Sequence, residues 1–89
     1  AYTLRGMTMI KISLNEKIRQ CDHCGATNIK RTYCIHLTKS REKLYIGRIC
    51  ISNMTDVDTS GNPHGAVERL QLYFKDMEEE EVIDMVAAE

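Results

Sequence analysis

The segment CDHCGATNIKRTYCIHLTKSREKLYIGRIC, residues 21–50, holds all four cysteines of this 89-residue chain. Cys21 and Cys24 form a C-x-x-C pair, and Gly25 directly after it relieves backbone strain where two thiolates turn towards one cation. Cys50 ends a G-x-x-C step at the far end of a predicted hairpin, which returns it towards the pair. Because thiolates in a small isolated site favour zinc, the segment predicts a structural zinc site.

The fourth ligand is predicted to be Cys34, which completes an all-cysteine site and lies on the polar face of its strand. His36 shares that face and is the first alternative, followed by His23 and His64. Four protein ligands leave no open position for a substrate or a water, so such a site stabilises the fold and performs no chemistry. The predicted metal ligands are therefore Cys21, Cys24, Cys34 and Cys50.

Other uses of the cysteines fit the sequence less well. A disulfide scaffold needs an oxidising compartment, and the start of the sequence does not show the pattern of a secretion signal. A redox C-x-x-C pair opens a helix within a βαβ unit, which this pattern lacks. A Cys34–His36 nucleophile and base would need an orienting third group and an oxyanion site, and neither is evident.

The length predicts a single small zinc-binding domain, residues 1–89, with a β and zinc part at 1–52 and a helical part at 62–89. A hydrophobic fraction of 43% and a charged fraction of 28% are typical of globular proteins. No segment approaches the ~18 consecutive apolar residues that a membrane span needs. We therefore expect no membrane association and a cytoplasmic location.

Alternating apolar residues predict three strands. Residues 7–14 form the first strand, and residues 29–37 and 43–50 pair as a hairpin around the polar turn TKSRE. Tyr33 shares its face with apolar residues, so it is predicted to point inward. Gly47 within the returning strand indicates a bulge or a close backbone approach.

Two helices follow the strands. Asn62 before Pro63 predicts an N-cap and a first helical position, and this helix runs through residue 77. Asp76 is predicted to cap a second helix, which carries the apolar residues Val82, Ile83 and Val86. The predicted fold class is α+β, with an N-terminal strand and a zinc-stapled β-hairpin followed by C-terminal helices.

The cysteine knuckle, the hairpin, a third ligand at the hairpin's end and a following helix resemble the zinc-ribbon and treble-clef group. More narrowly, C-D-H-C, then T-Y, then G-R-I-C is similar to small C-x-H-C…G-x-x-C modules of phage and mobile-element proteins, over residues 21–51. The chain departs from the standard zinc ribbon because it lacks the second C-x-x-C pair. The resemblance implies binding of nucleic acid or protein rather than catalysis.

Charge is unevenly distributed along the chain. Residues 1–50 carry ten Lys and Arg against three acidic side chains, a formal charge of +7, whereas residues 51–89 carry two against ten, a charge of −8. This asymmetry indicates nucleic acid for the basic half or a protein partner for the acidic half, unless the halves face each other within the fold. The predicted phosphate contacts are the hairpin residues Lys30, Arg31, Lys39, Arg41, Lys43 and Arg48.

These features predict a small, non-enzymatic regulatory zinc protein that contacts nucleic acid or the transcription machinery through its basic hairpin. The alternative is a protein-interaction module, such as a phage-type inhibitor of a host enzyme, acting through its acidic C-terminal helices. In that case the terminal helix presents an uncovered apolar stripe to a host protein complex or to a second copy of the chain in a homodimer. No carboxylate pair, catalytic triad or open metal site in the sequence indicates an enzyme.

Overall fold

Three antiparallel strands precede three helices in the computed structural model, which describes residues 10–87. The elements are β1 (Ile10–Asn15), β2 (Thr32–Leu37), β3 (Glu42–Gly47), α1 (Arg48–Thr55), α2 (Pro63–Phe74) and α3 (Glu79–Ala87). The strands form one sheet in the order β1-β2-β3. The α+β class is confirmed, and residues 7–9 of the predicted first strand lie outside the described range.

One side of the sheet, the core face, carries the apolar residues of all three strands. Direct pairing places Ile12 beside Ile35 and Tyr33 beside Ile46, and strand alternation keeps such partners on the same side. Tyr33 is only 1% exposed, which confirms that it points inward. The core face consists of Ile10, Ile12, Leu14, Tyr33, Ile35, Leu37, Leu44 and Ile46, with the exposed Glu42 at its edge beside Leu37.

The opposite side, the open face, is mostly polar. The apolar residues that the helices bury all belong to the cluster on the core face, so the helices pack against that side alone. None of the helices within residues 10–87 has both the length and the hydropathy that crossing a membrane requires. The open face consists of Lys11, Ser13, Asn15, Thr32, Cys34, His36, Lys43, Tyr45 and Gly47.

Helix α2 begins as the sequence predicts. The Asn62 Oδ1 atom accepts a hydrogen bond from the His64 backbone N–H at 2.9 Å, and Pro63 is the first helical residue. Leu70 and Phe74, one turn apart, are completely buried against the sheet. An N-cap and one apolar stripe therefore fix both the start of α2 and the side on which it packs.

Gln71 of α2 protects the free edge of β1. Its amide accepts a hydrogen bond from the Ile12 N–H at 2.9 Å and donates one to the Ile10 carbonyl at 2.8 Å. The side chain thus replaces a neighbouring strand over these residues. An edge paired in this way is closed to strand addition by another chain.

Helix α3 belongs to the core of the fold. Val82 is completely buried and Val86 is 7% exposed, whereas Ile83 is 38% exposed. The helix begins at Glu79 rather than beside Asp76, because the Glu81 carboxylate accepts from the Glu78 N–H at 3.0 Å and caps the first turn there. The predicted cap at Asp76 is therefore wrong, and the apolar stripe of α3 is covered by its own chain.

Glu79 joins α3 to the turn between β2 and β3. Its carboxylate accepts hydrogen bonds from the Lys39 N–H at 2.7 Å and the Ser40 N–H at 3.1 Å, although Glu79 itself is only 9% exposed. A negative side chain at the start of a helix also interacts favourably with the helix dipole. An acidic residue of the second half therefore meets the basic half directly.

Helix α1 was not predicted. The sequence indicates that the returning strand continues to Cys50, but β3 ends at Gly47 and α1 begins with the next residue. Ile51 and Thr55 are four residues apart and both buried, and the Thr55 hydroxyl donates to the Ile51 carbonyl at 2.7 Å. Burial at helical spacing has overridden the strand preference of the isoleucines.

We expect Glu79→Ala to lower the free energy of unfolding by about 2 kcal/mol, because two backbone N–H groups lose a charged acceptor. Urea denaturation measures this change. Glu80→Ala is the matched control, since Glu80 is exposed in the same first turn and should change stability by less than about 0.5 kcal/mol. Equal effects from the two substitutions would show that only the helix dipole matters.

Candidate metal centre

Cys21 and Cys24 lie in the loop that connects β1 to β2, residues 16–31, here called the cysteine loop. Reciprocal backbone hydrogen bonds between Arg19 and Ile29, of 3.0 and 2.9 Å, close the base of this loop. Within it, the Gly25 N–H donates to the Cys21 carbonyl at 3.0 Å in a tight turn. Gly25 has a φ of +81°, a conformation that glycine adopts without steric cost.

The loop is fastened to the edge of β3 through Tyr45. The Asp22 N–H donates to the Tyr45 carbonyl at 2.8 Å, and the Asp22 carboxylate accepts from the Tyr45 N–H at 2.7 Å. The Arg19 guanidinium lies 3.7 Å from the centre of the Tyr45 ring, a cation–π contact. The sequence carried no periodic or spacing signal for either Asp22 or Arg19, so both contacts were missed.

Gly47, the last residue of β3, also contacts the cysteine loop. Its N–H donates to the Cys21 sulfur at 3.3 Å. A Cβ atom at this position would lie 3.3 Å from Ile29 Cδ1 and 3.9 Å from the Cys21 sulfur. The close backbone approach predicted for Gly47 is confirmed, and it brings the loop against the β3–α1 junction.

Three thiols converge at that junction. The sulfur atoms of Cys21, Cys24 and Cys50 all lie within 4.8 Å of one another, close enough to bind one metal ion. Cys50 reaches the pair from the first turn of α1 rather than from the end of a strand. Cys50 therefore lies near the positive end of the α1 dipole, but burial and the two neighbouring thiols outweigh that effect on its pKa.

The pKa values of Cys21 and Cys50 are shifted in opposite directions. Burial alone raises the pKa of Cys21. Its sulfur also accepts hydrogen bonds from the N–H groups of Cys24, Gly47 and His23, and these outweigh burial and lower the pKa to about 7. Burial, followed by hydrogen bonds and negative charge from the other two thiols, raises the pKa of Cys50 to about 12. Cys21 therefore ionises near neutral pH, whereas Cys50 loses its proton only when a cation displaces it.

Cys34 is not part of this cluster, contrary to the prediction that it is the fourth ligand. It lies in the middle of β2 on the open face, directly paired with Ser13 and Tyr45, and is 6% exposed. Only the end of a strand reaches the β3–α1 junction, so a residue two positions inside β2 does not reach the other sulfurs. His36 lies two residues further towards the hairpin turn.

The other histidines also make different contacts. The His23 Nδ1 atom lies 2.9 Å from the Val86 carbonyl, to which it donates, since a carbonyl can only accept. His23 thus links the cysteine loop to the last turn of α3. His64 is exposed at the start of α2. Within residues 10–87 no Cys, His, Asp or Glu other than the three cysteines joins the cluster.

No protein-family model, no curated protein and no solved structure matches this chain. The resemblance to the zinc-ribbon and treble-clef group therefore stays a prediction. The geometry itself shows a cysteine cluster with the spacing of a metal site.

We expect Cys50→Ala to lower metal affinity at least about a hundredfold, because one of three thiolate bonds is lost. Cys34→Ala is the matched control and should keep wild-type stoichiometry and affinity. Competition titration against a chromophoric chelator, with elemental analysis of the loaded proteins, measures both. Loss of metal in the Cys34 variant would restore the predicted four-cysteine site.

Metal binding should release at least one proton per ion at pH 8, because Cys50 is protonated there when no metal is bound. As the pH falls below about 7, Cys21 takes up a proton as well. Metal affinity should then fall more steeply, by about tenfold per pH unit for each displaced proton. Calorimetry in buffers of different ionisation enthalpy counts these protons. Metal binding at pH 8 without release of a proton would contradict the prediction that Cys50 is protonated in the metal-free protein.

Proposed function

We propose that the chain is a zinc-stabilised binding module whose open face contacts the phosphate backbone of nucleic acid. The observation that carries this proposal is a row of basic side chains across all three strands. Lys11, His36 and Lys43 are direct cross-strand partners, so they stand side by side on the open face. Neighbouring strands lie about 4.8 Å apart, so the row spans about 10 Å.

Zinc is the proposed ion because of the donor set. Thiolate ligands favour zinc over the hard cations calcium and magnesium, which prefer oxygen. A structural zinc contributes about 10 kcal/mol or more of apparent binding free energy to folding. That contribution matters in this chain, because the cysteine loop has little regular secondary structure and depends on a few contacts to stay on the sheet.

The charge of the open face supports an anionic partner. None of its nine positions is acidic, and both Lys11 and Lys43 are exposed. The Arg19 guanidinium lies over the Tyr45 ring on the same side. The hairpin turn adds two more exposed cations, Lys39 and Arg41, at the end of the sheet nearest the row.

The six basic residues predicted as one patch occupy two separate regions. Lys39, Arg41 and Lys43 lie at or near the hairpin turn, whereas Lys30, Arg31 and Arg48 lie at the opposite end beside the metal centre. Arg31 also makes an exposed ion pair with Glu16 at 3.3 Å. The proposed phosphate surface therefore consists of Lys39, Arg41 and Lys43 near the hairpin turn, together with Lys11 and His36.

The alternative, a protein-interaction module that acts through acidic C-terminal helices, receives less support. Val82 and Val86, which were to form its apolar contact surface, are buried in the core. A homodimer or a host protein partner at α3 would have to use its outer side, where Ile83 is partly exposed. The homodimer and the host protein partner therefore remain predictions.

We expect the double substitution Lys11→Gln and Lys43→Gln to weaken binding of a fluorescent oligonucleotide similarly for every sequence. The slope of log affinity against log salt should fall by about 1.4 for single strands, because two phosphate contacts are lost. Fluorescence anisotropy over a range of salt concentrations measures this slope. Single-stranded and duplex probes of equal length show which form the row prefers.

The matched control is Lys17→Gln with Lys30→Gln, which changes the net charge equally but in the cysteine loop, at the opposite end of the sheet from the row. This control should keep the wild-type slope. Equal losses in both double variants would indicate only a general charge effect and reject the open face as the contact surface. A larger loss in Lys30→Gln with Arg48→Gln would move the contact to the metal end.

A further inference from the structure

Residues 10–87, the part of the chain that the structure describes, supply three ligands to the metal centre. All four cysteines and all three histidines lie within the described range, and only Cys21, Cys24 and Cys50 converge. Outside residues 10–87 the sequence contains no thiol and no imidazole, and Glu89 is the single carboxylate side chain. Zinc bound by proteins is almost always four-coordinate, and a site with three protein ligands completes its shell with a water or another exchangeable ligand.

A cleft of about 540 Å³ leads to the cluster from the surface, and both Cys24 and Cys50 line it. This volume lies within the usual range for sites that hold small molecules. The walls are mainly apolar, formed by Ile29, Ile49 and Pro63 together with Ala26. A ligand that reached the metal through this cleft would place an apolar body against these walls.

Two arginines determine which charge the cleft accepts. Arg31 and Arg48 both line it, and within residues 10–87 Arg48 makes no ion pair. A divalent ion with three thiolates carries a net charge of −1, and a further anionic donor needs nearby positive charge. A thiolate is the donor that best matches a sulfur-bound zinc.

A second cleft of about 660 Å³ borders Cys21 and Cys24 from the side of α3. Asp22, His23 and the last residues of α3 line this cleft. Its acidic side chain disfavours an anion, and no Lys or Arg among residues 10–87 lines it. The arginine-lined cleft is therefore the better route for an anionic ligand.

We propose that the fourth metal ligand is exchangeable and comes from outside the chain, and that the arginine-lined cleft admits a small thiol with an apolar body. This inference rests on the proposed zinc centre and deepens it. It replaces the closed, purely structural site expected from four cysteines with an open site that binds a ligand.

The test uses the full chain loaded with Co²⁺ in thiol-free buffer and titrated with benzyl mercaptan. Thiolate-to-cobalt charge-transfer absorbance should rise by about one third and saturate at one thiol per chain, because the sulfur ligands increase from three to four. Benzyl alcohol, which has the same apolar body and no sulfur, should leave the absorbance unchanged.

Ile49→Asp tests the route through the cleft. Ile49 is 67% exposed in the first turn of α1, where an acidic residue stabilises the helix, so the variant should fold and bind Co²⁺. Thiol binding should weaken at least about tenfold, because an apolar wall becomes a like charge. Leu72→Asp is the control, since Leu72 is 70% exposed on α2 and does not line the cleft.

Three results would overturn the inference. A charge-transfer band that does not rise with thiol would mean that no exchangeable position exists, while leaving the metal centre itself intact. A changed spectrum of thiol-free Glu89→Gln would make Glu89 the fourth ligand. Absence of the band after Co²⁺ addition would reject the proposed metal centre and this inference together. Nucleic-acid binding by the open face is tested independently, by the oligonucleotide titration.

Discussion

The convergence of three thiols at the β3–α1 junction is the constraint on which the arrangement of this fold depends. Cys21 and Cys24 belong to a loop between β1 and β2, and Cys50 belongs to a helix that follows β3. A cation bound to all three joins segments that are almost thirty residues apart in the chain. The Cys21 sulfur already accepts the Gly47 N–H, so the backbone prepares the thiolate before any ion binds.

The same loop also protects the sheet. Asp22 pairs with both backbone groups of Tyr45 at the edge of β3, and Gln71 pairs with the edge of β1. A three-stranded sheet has two free edges, and here each is covered over part of its length by one residue. On the open face Thr32 and Cys34 are buried, whereas Lys11 and Lys43 of the proposed phosphate row stay exposed.

The sequence predicts those features that depend on local pattern. Alternation identifies the strands and the inward Tyr33, and Asn62 with Pro63 identifies the start of α2, because each signal acts within a few residues. Cys34 was predicted as a ligand because a thiol that packs on a sheet and a thiol that binds metal look alike in sequence, but its sulfur lies outside the cluster. Helix α1 was missed because Ile49 and Ile51 alternate like strand residues, and only their tertiary environment selects the helix. Gln71 and Glu79 make contacts across about 60 and 40 residues, which no local pattern encodes.

X-ray absorption at the zinc edge measures how many sulfur atoms surround the metal. For zinc-loaded protein in thiol-free buffer, we expect three sulfur neighbours at about 2.3 Å and one lighter donor at about 2.0 Å. The spectrum should be the same for Cys34→Ala. A shell of four sulfur atoms that loses one in the Cys34 variant would contradict the account, because it would mean that β2 contributes a ligand to the metal.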